Sequence, residues 1–305
     1  MTRTPFASIV VASTLSMAVT AGAQPAATPG PAPKPAPAAQ AVAAPADTGR
    51  RPVVEIPKES LSAIRARGTL KACVAPYMPW VIEGAVDGEL TGFSVDLARQ
   101  LAADLGVGIE FVGTGYADLI PALAEGDCDL IPAGLAATPD RALFVHFSMP
   151  VATHQVQLVG PAAVVGQARG AAEFNRAGLT VGVVGASAEL LDAKRLFPNA
   201  TIQEFDGPGA VADALLAGKV GLGVSVAPLP AVFAKLTGGK FVVLPEPLGL
   251  RGEAFAVRRG DLEFLAYLNT WVQARTYDGW LKDRADEWFV KMAWAEQVAK
   301  PVAQD

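Results

Sequence analysis

From residue 58 onward, short apolar runs alternate with segments whose apolar positions recur at helical spacing. "KESLSAIRARG" predicts a short helix stopped by Gly68, since glycine takes the left-handed turn that ends helices. "TLKACVA" predicts a strand. "FSVDLARQLAADLG" carries Phe93, Val95, Leu97, Leu101 and Leu105 close to helical spacing and ends on Gly106. "VGIEFVG" predicts a strand, "YADLIPALAEG" a helix and "CDLIPAG" a further strand. The order β-α-β-α-β means a parallel sheet with helices on its faces.

The pattern then repeats from about Gly160 to Gly249. "LTVGVVG", "TIQEF" and "KVGLGVS" are the strands, with "SAELLDAKRLF" and "GAVADALLAG" as helices. The chain closes with a strand, "GEAFAVRRG", and a long amphipathic helix, "DLEFLAYLNTWVQARTYDGW", broken at Asp278-Gly279. Two units of similar size suggest an α/β protein of two lobes. Ligands in such sheets sit at the carboxyl ends of the strands, here in a cleft between lobes.

The N-terminal segment breaks this rhythm. Arg3, an apolar stretch from about Phe6 to Thr20, and Ala21-Gly22-Ala23 form a cleavable export signal, residues 1–23, with a mature start expected at Gln24. No cysteine follows the cleavage point and no twin arginine precedes it. Residues 24–56 are dominated by proline, alanine and other small residues, which cannot bury a core. They are expected to form an extended linker. The protein is therefore expected in the periplasm.

Charge and cysteines narrow the chemistry. The formal net charge of −5 over 305 residues, with no basic block, argues against a nucleic-acid partner. The two cysteines, Cys73 and Cys128, permit one bridge in an oxidising compartment, and two buried thiols stay open as the alternative. With His146 and His154 they show no metal-ligand spacing, so no metal and no other cofactor is expected.

Seven segments in order carry a resemblance over roughly residues 57 to 289. They are "SLSAIRARGTLKACVA", "DGELTGFSVDLARQLAADLGVGIEFV", "DLIPALAEGDCDLIPAGLAATPDRALFVHFSMPV", "LTVGVVGASAE", "ALLAGKV", "AFAVRRGDLEFLAYLNTWV" and "DGWLKDRADEWF". The chain resembles the periplasmic solute-binding proteins of ABC transporters, in the group that binds polar amino acids (bacterial extracellular solute-binding protein family 3). The resemblance implies a type II two-lobe fold. Residues 57–158 and 253–290 would form lobe one, 159–252 lobe two, and 291–305 a tail. Crossovers would fall near Gln155–Gly160 and Gly252–Ala256. It also implies a monomer that closes on a solute and delivers it to an inner-membrane permease.

The same resemblance assigns site residues. Arg141, in the "TPDRA" turn, would fork onto a ligand carboxylate, which suits paired guanidinium donors. Gly134 and Ala136 would line the pocket. Gly185, Ala186 and Ser187 open a helix after a strand, where backbone N–H groups favour an anion; Ser187 also suits helix capping, and the two roles are compatible. Tyr77, Trp80 and Tyr116 would wall the site, with ordinary packing as the alternative for each.

Departures from the family pattern bear on the ligand. The lobe-two aspartate that holds a ligand ammonium falls on Val226, an earlier aspartate on Gly221, the acid after the first strand near Ala75, and a hydroxyl residue on Ala136. Burying an ammonium against valine costs several kcal/mol, so an anionic solute without an α-amine is expected. His146 and Met149 stand where acids are common, with His146 read as structural. Two other functions stay open: an accessory binding protein of a periplasmic quinoprotein dehydrogenase, and an enzyme resembling cyclohexadienyl dehydratase. The second would need a general acid, for which Glu83, Asp87, His154 and Glu253 are the candidates. The principal expectation is a binding protein rather than an enzyme.

Overall fold

The computed structural model describes residues 60–84, 88–132 and 134–295. The expected leader 1–23 and linker 24–56, residues 296–305 of the tail, and Asp87 lie outside the described residues. No helix among the described residues is long and apolar enough to cross a membrane.

The first half follows the predicted alternation. Helix α1 (Ser60–Arg67) leads into β1 (Thr69–Val74), and a small hairpin of β2 (Ile82–Glu83) and β3 (Leu90–Thr91) precedes α2 (Phe93–Leu105). Then come β4 (Gly108–Gly113), α3 (Leu119–Glu125), β5 (Leu130–Ile131) and the short α4 (Pro139–Ala142). Strand β5 is shorter than "CDLIPAG" suggested. Pro132 has no N–H to give a ladder, and Gly134 turns the chain with φ 74°.

The second half begins with β6 (Val145–Pro161) and α5 (Ala162–Val165). It continues through β7 (Thr180–Val184), α6 (Ala188–Leu196), β8 (Thr201–Phe205), α7 (Pro208–Leu216), β9 (Leu222–Val226), α8 (Leu229–Leu236) and β10 (Phe241–Val243). Strand β11 (Gly249–Arg258) returns the chain to α9 (Leu262–Tyr277), α10 (Trp280–Ala285) and a π-helical turn at Asp286–Lys291. The break after α9 falls at Gly279, whose φ of 84° only glycine adopts easily.

The strands form one hydrogen-bonded path in the order β4-β1-β5-β11-β6-β9-β7-β8, with β10 added on β6. On one side β1 pairs parallel with β4 and β5; on the other β7 pairs parallel with β8 and β9. The two parallel groups are the sheets of two lobes. Between them β6 and β11 run antiparallel, from Gly249 opposite Val156 to Arg258 opposite Val145. The 17 residues of β6 are long enough to serve both lobes, since Val156 to Val159 also pair with β9. Register shifts interrupt the β6/β11 ladder between Glu253 and Ala254 and again between Ala254 and Ala256. Such bulges bend a strand and re-aim its side chains.

Both lobes bury apolar side chains, and one cluster joins residues of the first lobe to Val211, Leu215 and Val226 of the second. Leu70, Phe93, Leu97, Leu101, Phe255, Phe264 and Leu268 are fully buried in the first. Val156, Val181, Val183, Phe197 and Leu222 are fully buried in the second. In α9 the buried Phe264, Leu268, Trp271 and Val272 follow the helical period and face the sheet. Cys73 in β1 and Cys128 just before β5 form a disulfide with Cα atoms 5.6 Å apart. Pairing of β1 with β5 at Ala72 and Leu130 brings them together, which resolves the alternative left open by the sequence.

Candidate functional site

The loops that leave the carboxyl ends of β1, β5 and β7 meet over the hinge strands. After β1 the chain turns tightly, with Trp80 N–H donating to the Tyr77 carbonyl at 2.8 Å and Val81 N–H to the same carbonyl at 2.9 Å. This turn buries Tyr77 and Trp80 and sets their rings edge to face, 5.5 Å apart. Tyr116 lies 5.3 Å from Tyr77 and donates its hydroxyl to the Gly134 carbonyl at 3.1 Å. Gly134 must be small as well as left-handed: a Cβ there would stand 3.3 Å from the Trp80 side chain.

These aromatics wall a narrow cavity of about 10 Å³, room for about one water, that is completed by Gly134, Ala136, Glu189, Val226, Arg251 and Glu253. Of the residues named from the sequence, the fold thus gathers Tyr77, Trp80, Tyr116, Gly134, Ala136 and Val226 around one space. Arg141 is not among its lining. It sits on the outer side of Tyr116, with its guanidinium carbon 6.0 Å from that ring's centre. There it donates from Nη1 to the Ala136 carbonyl and from Nη2 to the Ala186 carbonyl, both at 2.8 Å. A second cavity of about 250 Å³, lined by Tyr116, Ile120, Leu135, Arg141, Phe144 and Ala186 among others, opens on that side.

The helix opened by Ser187 offers an anion less than the sequence implied. The Gly185 N–H is already given to the Phe205 carbonyl at 2.8 Å. The Ser187 hydroxyl caps α6, accepting from Leu190 N–H at 3.2 Å while donating to the Val184 carbonyl at 2.7 Å. Glu189, in the first turn of α6, places its own carboxyl at the positive end of the helix. Ala186, with φ 55°, turns its carbonyl outward to Arg141.

The expected loss of acid from the site needs correction. Valine does stand at 226, yet two other carboxyls line the cavity, Glu189 and Glu253, both less than a tenth exposed. Glu253 projects from the hinge strand β11 at the bulge and accepts hydrogen bonds from Trp80 Nε1 and from Gly134 N–H. His154, from the other hinge strand β6, stands with Nε2 3.7 Å from Glu253 Oε2 and has no hydrogen-bond partner there. Burial pushes the Glu253 carboxyl up to about 8; the Trp80 bond offsets part of this, while Glu189 adds to it. Burial also lowers His154 to about 4. Both groups are therefore neutral at pH 7, and the close approach is not an ion pair, because desolvation opposes either charge. Tyr77 is raised well above its usual range and Tyr116 to about 12, again chiefly by burial.

Glu253 and His154 entered the sequence reading only as candidate acids, and Glu189 not at all. A charged residue within the apolar run "GEAFAV" was the available signal for the first. Nothing in the spacing pairs positions 154 and 253. Of the other candidate acids, Glu83 is exposed on β2. Arg251 is engaged elsewhere, with the buried Asp192, which also takes Arg195 at 3.2 Å. His146 is partly buried in β6 and Met149 is 45 % exposed. Among the described residues no cluster of three or more potential metal ligands occurs.

The model of the bacterial extracellular solute-binding proteins, family 3, matches residues 50–291. A probable histidine-binding protein of Neisseria gonorrhoeae is 30 % identical over 188 residues, which is 60 % of this chain and 68 % of that one. With a probable histidine-binding protein of Campylobacter jejuni the match is 40 % over 83 residues, 27 % of this chain and only 32 % of the relative's length. Among solved structures, a putative binding component of an ABC transporter from Wolinella succinogenes, complexed with lysine, has a TM-score of 0.71 at 28 % identity, covering 75 % of this chain and 99 % of that one. The ancestral amino acid-binding protein AncCDT-1, described as a precursor of cyclohexadienyl dehydratase, has a TM-score of 0.70 at 31 % identity with the same coverage.

Proposed function

Because the chain belongs to the bacterial extracellular solute-binding proteins, family 3, we propose that it is the periplasmic receptor of an ABC-type uptake system for an amino-acid-like solute. The observation that carries this reading is the cavity over the hinge. Its walls come from loops of both lobes, and Arg141 spans from Ala136 in one to Ala186 in the other. A solute seated there touches both lobes only when they are shut, so its binding energy favours the closed form that a permease can recognise.

The solute carries a carboxylate, and Arg141 is its partner. The guanidinium has five N–H groups, and the contacts to Ala136 and Ala186 use one on each of two nitrogens. A further N–H is shared with the Tyr116 hydroxyl, and the rest are offered to an anion. Calorimetry against amino acids and matched carboxylates tests the reading: at least one should bind in the micromolar range or tighter, and Arg141→Ala should weaken it. Binding of none, or binding indifferent to Arg141, would overturn it.

A second reading has one observation in its favour. A buried, proton-bearing Glu253 carboxyl in the cavity is a group that could act as a general acid. Turnover of prephenate by the purified protein would support an enzyme on this frame, and lack of turnover with tight solute binding would exclude it.

A further inference from the structure

We infer that Phe289, in the π-helical turn that follows α10, is a positioning residue of the solute site: its ring keeps water from behind Trp80 and His154 and so fixes the Trp80 indole on Glu253. The inference rests on the receptor reading above and deepens it, by naming a residue outside the cavity lining that holds the cavity wall in place.

One ring meets three elements. The centre of the Phe289 ring lies 4.9 Å from that of Phe93, the first residue of α2, and 5.3 Å from Trp80, in the turn after β1. It lies 4.2 Å from the imidazole of His154, in the hinge strand β6. The contacts with Phe93 and His154 are edge to face, an arrangement that aromatic quadrupoles favour. Trp80 and His154 also meet edge to face, at 5.3 Å. Phe93, Trp80 and His154 are buried, whereas Phe289 is half-buried. Of the four rings it is the one that meets solvent.

The local chain fastens this ring to the helix it rests on. Such π-helical turns are rare and occur frequently at functional sites. Just before Phe289, Trp288 donates from Nε1 to Asp96 of α2 at 2.8 Å, and Arg284 lies 3.7 Å from the same carboxylate. Asp96 and Phe93 share the first turn of α2. Just after, Met292 ends the turn with φ 50°, and Trp294 folds back to donate from Nε1 to the Trp288 carbonyl at 2.7 Å.

What the ring protects is a hydrogen bond. Trp80 Nε1 donates to Glu253 Oε2, and His154 Nε2 stands 3.7 Å from that oxygen without a hydrogen-bond partner. His154 is faced by Trp80, Phe289 and Glu253, and by Arg251, which stands opposite it in the β6/β11 ladder and pairs with Asp192. Glu189 acts on Glu253 from α6. Burial holds the imidazole neutral. Without the Phe289 ring, water reaches it and the desolvation that opposes its charge falls. His154 then takes up a proton, Glu253 gives one up, and the 3.7 Å approach becomes an ion pair. The carboxylate is drawn from the indole toward the imidazolium, and Trp80 loses its anchor.

The experiment is an NMR titration of the whole protein, whose two histidines, His146 and His154, give an internal comparison. In the parent, His154 should stay neutral down to about pH 4. In Phe289→Ala it should titrate above about pH 5, moving toward its ordinary 6.5, with His146 unmoved. The Trp80 indole N–H should change from slow to rapid exchange with deuterium. Phe289→Tyr, which keeps the ring, should match the parent. Phe289→Leu should shift both signals partway, and it carries the test if Phe289→Ala does not fold. Phe197→Ala removes a fully buried ring from the second lobe and should move neither signal. Calorimetry with L-lysine and L-histidine should show Phe289→Ala weakening whichever the parent binds by roughly twofold to thirtyfold. An unmoved His154 in folded Phe289→Ala, an equal shift in Phe197→Ala, or unchanged affinity would overturn the inference and leave the receptor reading standing. Binding of neither amino acid by the parent would count against the receptor reading, while the His154 and indole signals still decide the role of Phe289.

Discussion

The Nη2 group of Arg141 donates to the carbonyl of Ala186 at 2.8 Å, across 45 residues of sequence and from one lobe to the other. Nη1 holds Ala136 on its own lobe at the same distance. The arginine is thus both the expected anion ligand and a tie that closes the cleft. Arg141→Ala should cost about 2–5 kcal/mol of solute affinity, the range for removing one partner of a buried charge pair. Arg141→Lys should recover only part, since an ammonium lacks the planar paired N–H donors that match a carboxylate. Small-angle scattering of the unliganded Ala variant should show a larger radius of gyration. An unchanged radius would mean that the tie does not hold the lobes.

Glu253 and His154 give stability a two-sided pH dependence. The Glu253 carboxyl is raised from 4.5 to about 8 in the fold. Its contribution is complete below about 4.5 and is lost as pH rises through about 8. His154 is lowered from 6.5 to about 4, so its contribution is complete above 6.5 and is lost as pH falls through about 4. Unliganded protein should therefore lose melting temperature at both extremes. Glu253→Gln should remove the alkaline loss between about pH 5 and pH 8 and leave the acid loss. Thermal scans of the two proteins across that range check the sign; an alkaline loss retained in the variant would place its origin elsewhere.

Much of the frame was legible in the chain. Short apolar runs and helical spacing located β1, α2, β4, β7, α6, β8, α7 and β9: β1, β7 and β9 are buried over most of their length, and α2, α6 and α7 each bury one side. The aromatic wall was legible too, since Tyr77, Trp80 and Tyr116 follow strands whose ends open on the cleft. The acid side was not. His154 and Glu253 meet through the antiparallel β6/β11 ladder, and the bulge beside Glu253 re-aims its side chain. Neither strand announces that register. Likewise the Gly185 N–H is spent on the Phe205 carbonyl and the Ser187 hydroxyl on capping α6, which only the neighbouring strand β8 and the first turn of α6 reveal.

The disulfide between Cys73 and Cys128 lies directly behind the aromatic wall, and both sulfur-bearing residues are fully buried. It closes a loop with a sequence separation of 55 residues, which in the chain-entropy picture is worth about 4 kcal/mol. The Cys73→Ala/Cys128→Ala double variant should lower the unfolding free energy by roughly that amount. Chemical denaturation with and without reductant checks it: reductant should destabilise the parent toward the variant and leave the variant unchanged.

Gly92 carries the sharpest steric prediction. It precedes α2 with φ 133°, a conformation that residues with a side chain rarely adopt. A Cβ at this position would lie 2.2 Å from the Trp80 carbonyl oxygen and 2.9 Å from that of Pro79. Both oxygens are already in use, accepting at 3.0 Å from Ser94 N–H and Phe93 N–H, the first donors of α2. The start of that helix is therefore fastened to the turn that presents Trp80. Gly92→Ala must push the turn away, which releases these donors and shifts the indole from Glu253. The variant should lose roughly 2–4 kcal/mol of stability through backbone strain and unpaired donors. It should also lose solute affinity, because Trp80 walls the cavity. Gly88 supplies the control: it too has positive φ, at 67°, but a Cβ there would meet nothing within 4 Å. Gly88→Ala should cost about 1 kcal/mol with affinity intact. Equal losses at the two sites would mean that strain alone, and not the Trp80 turn, sets the effect.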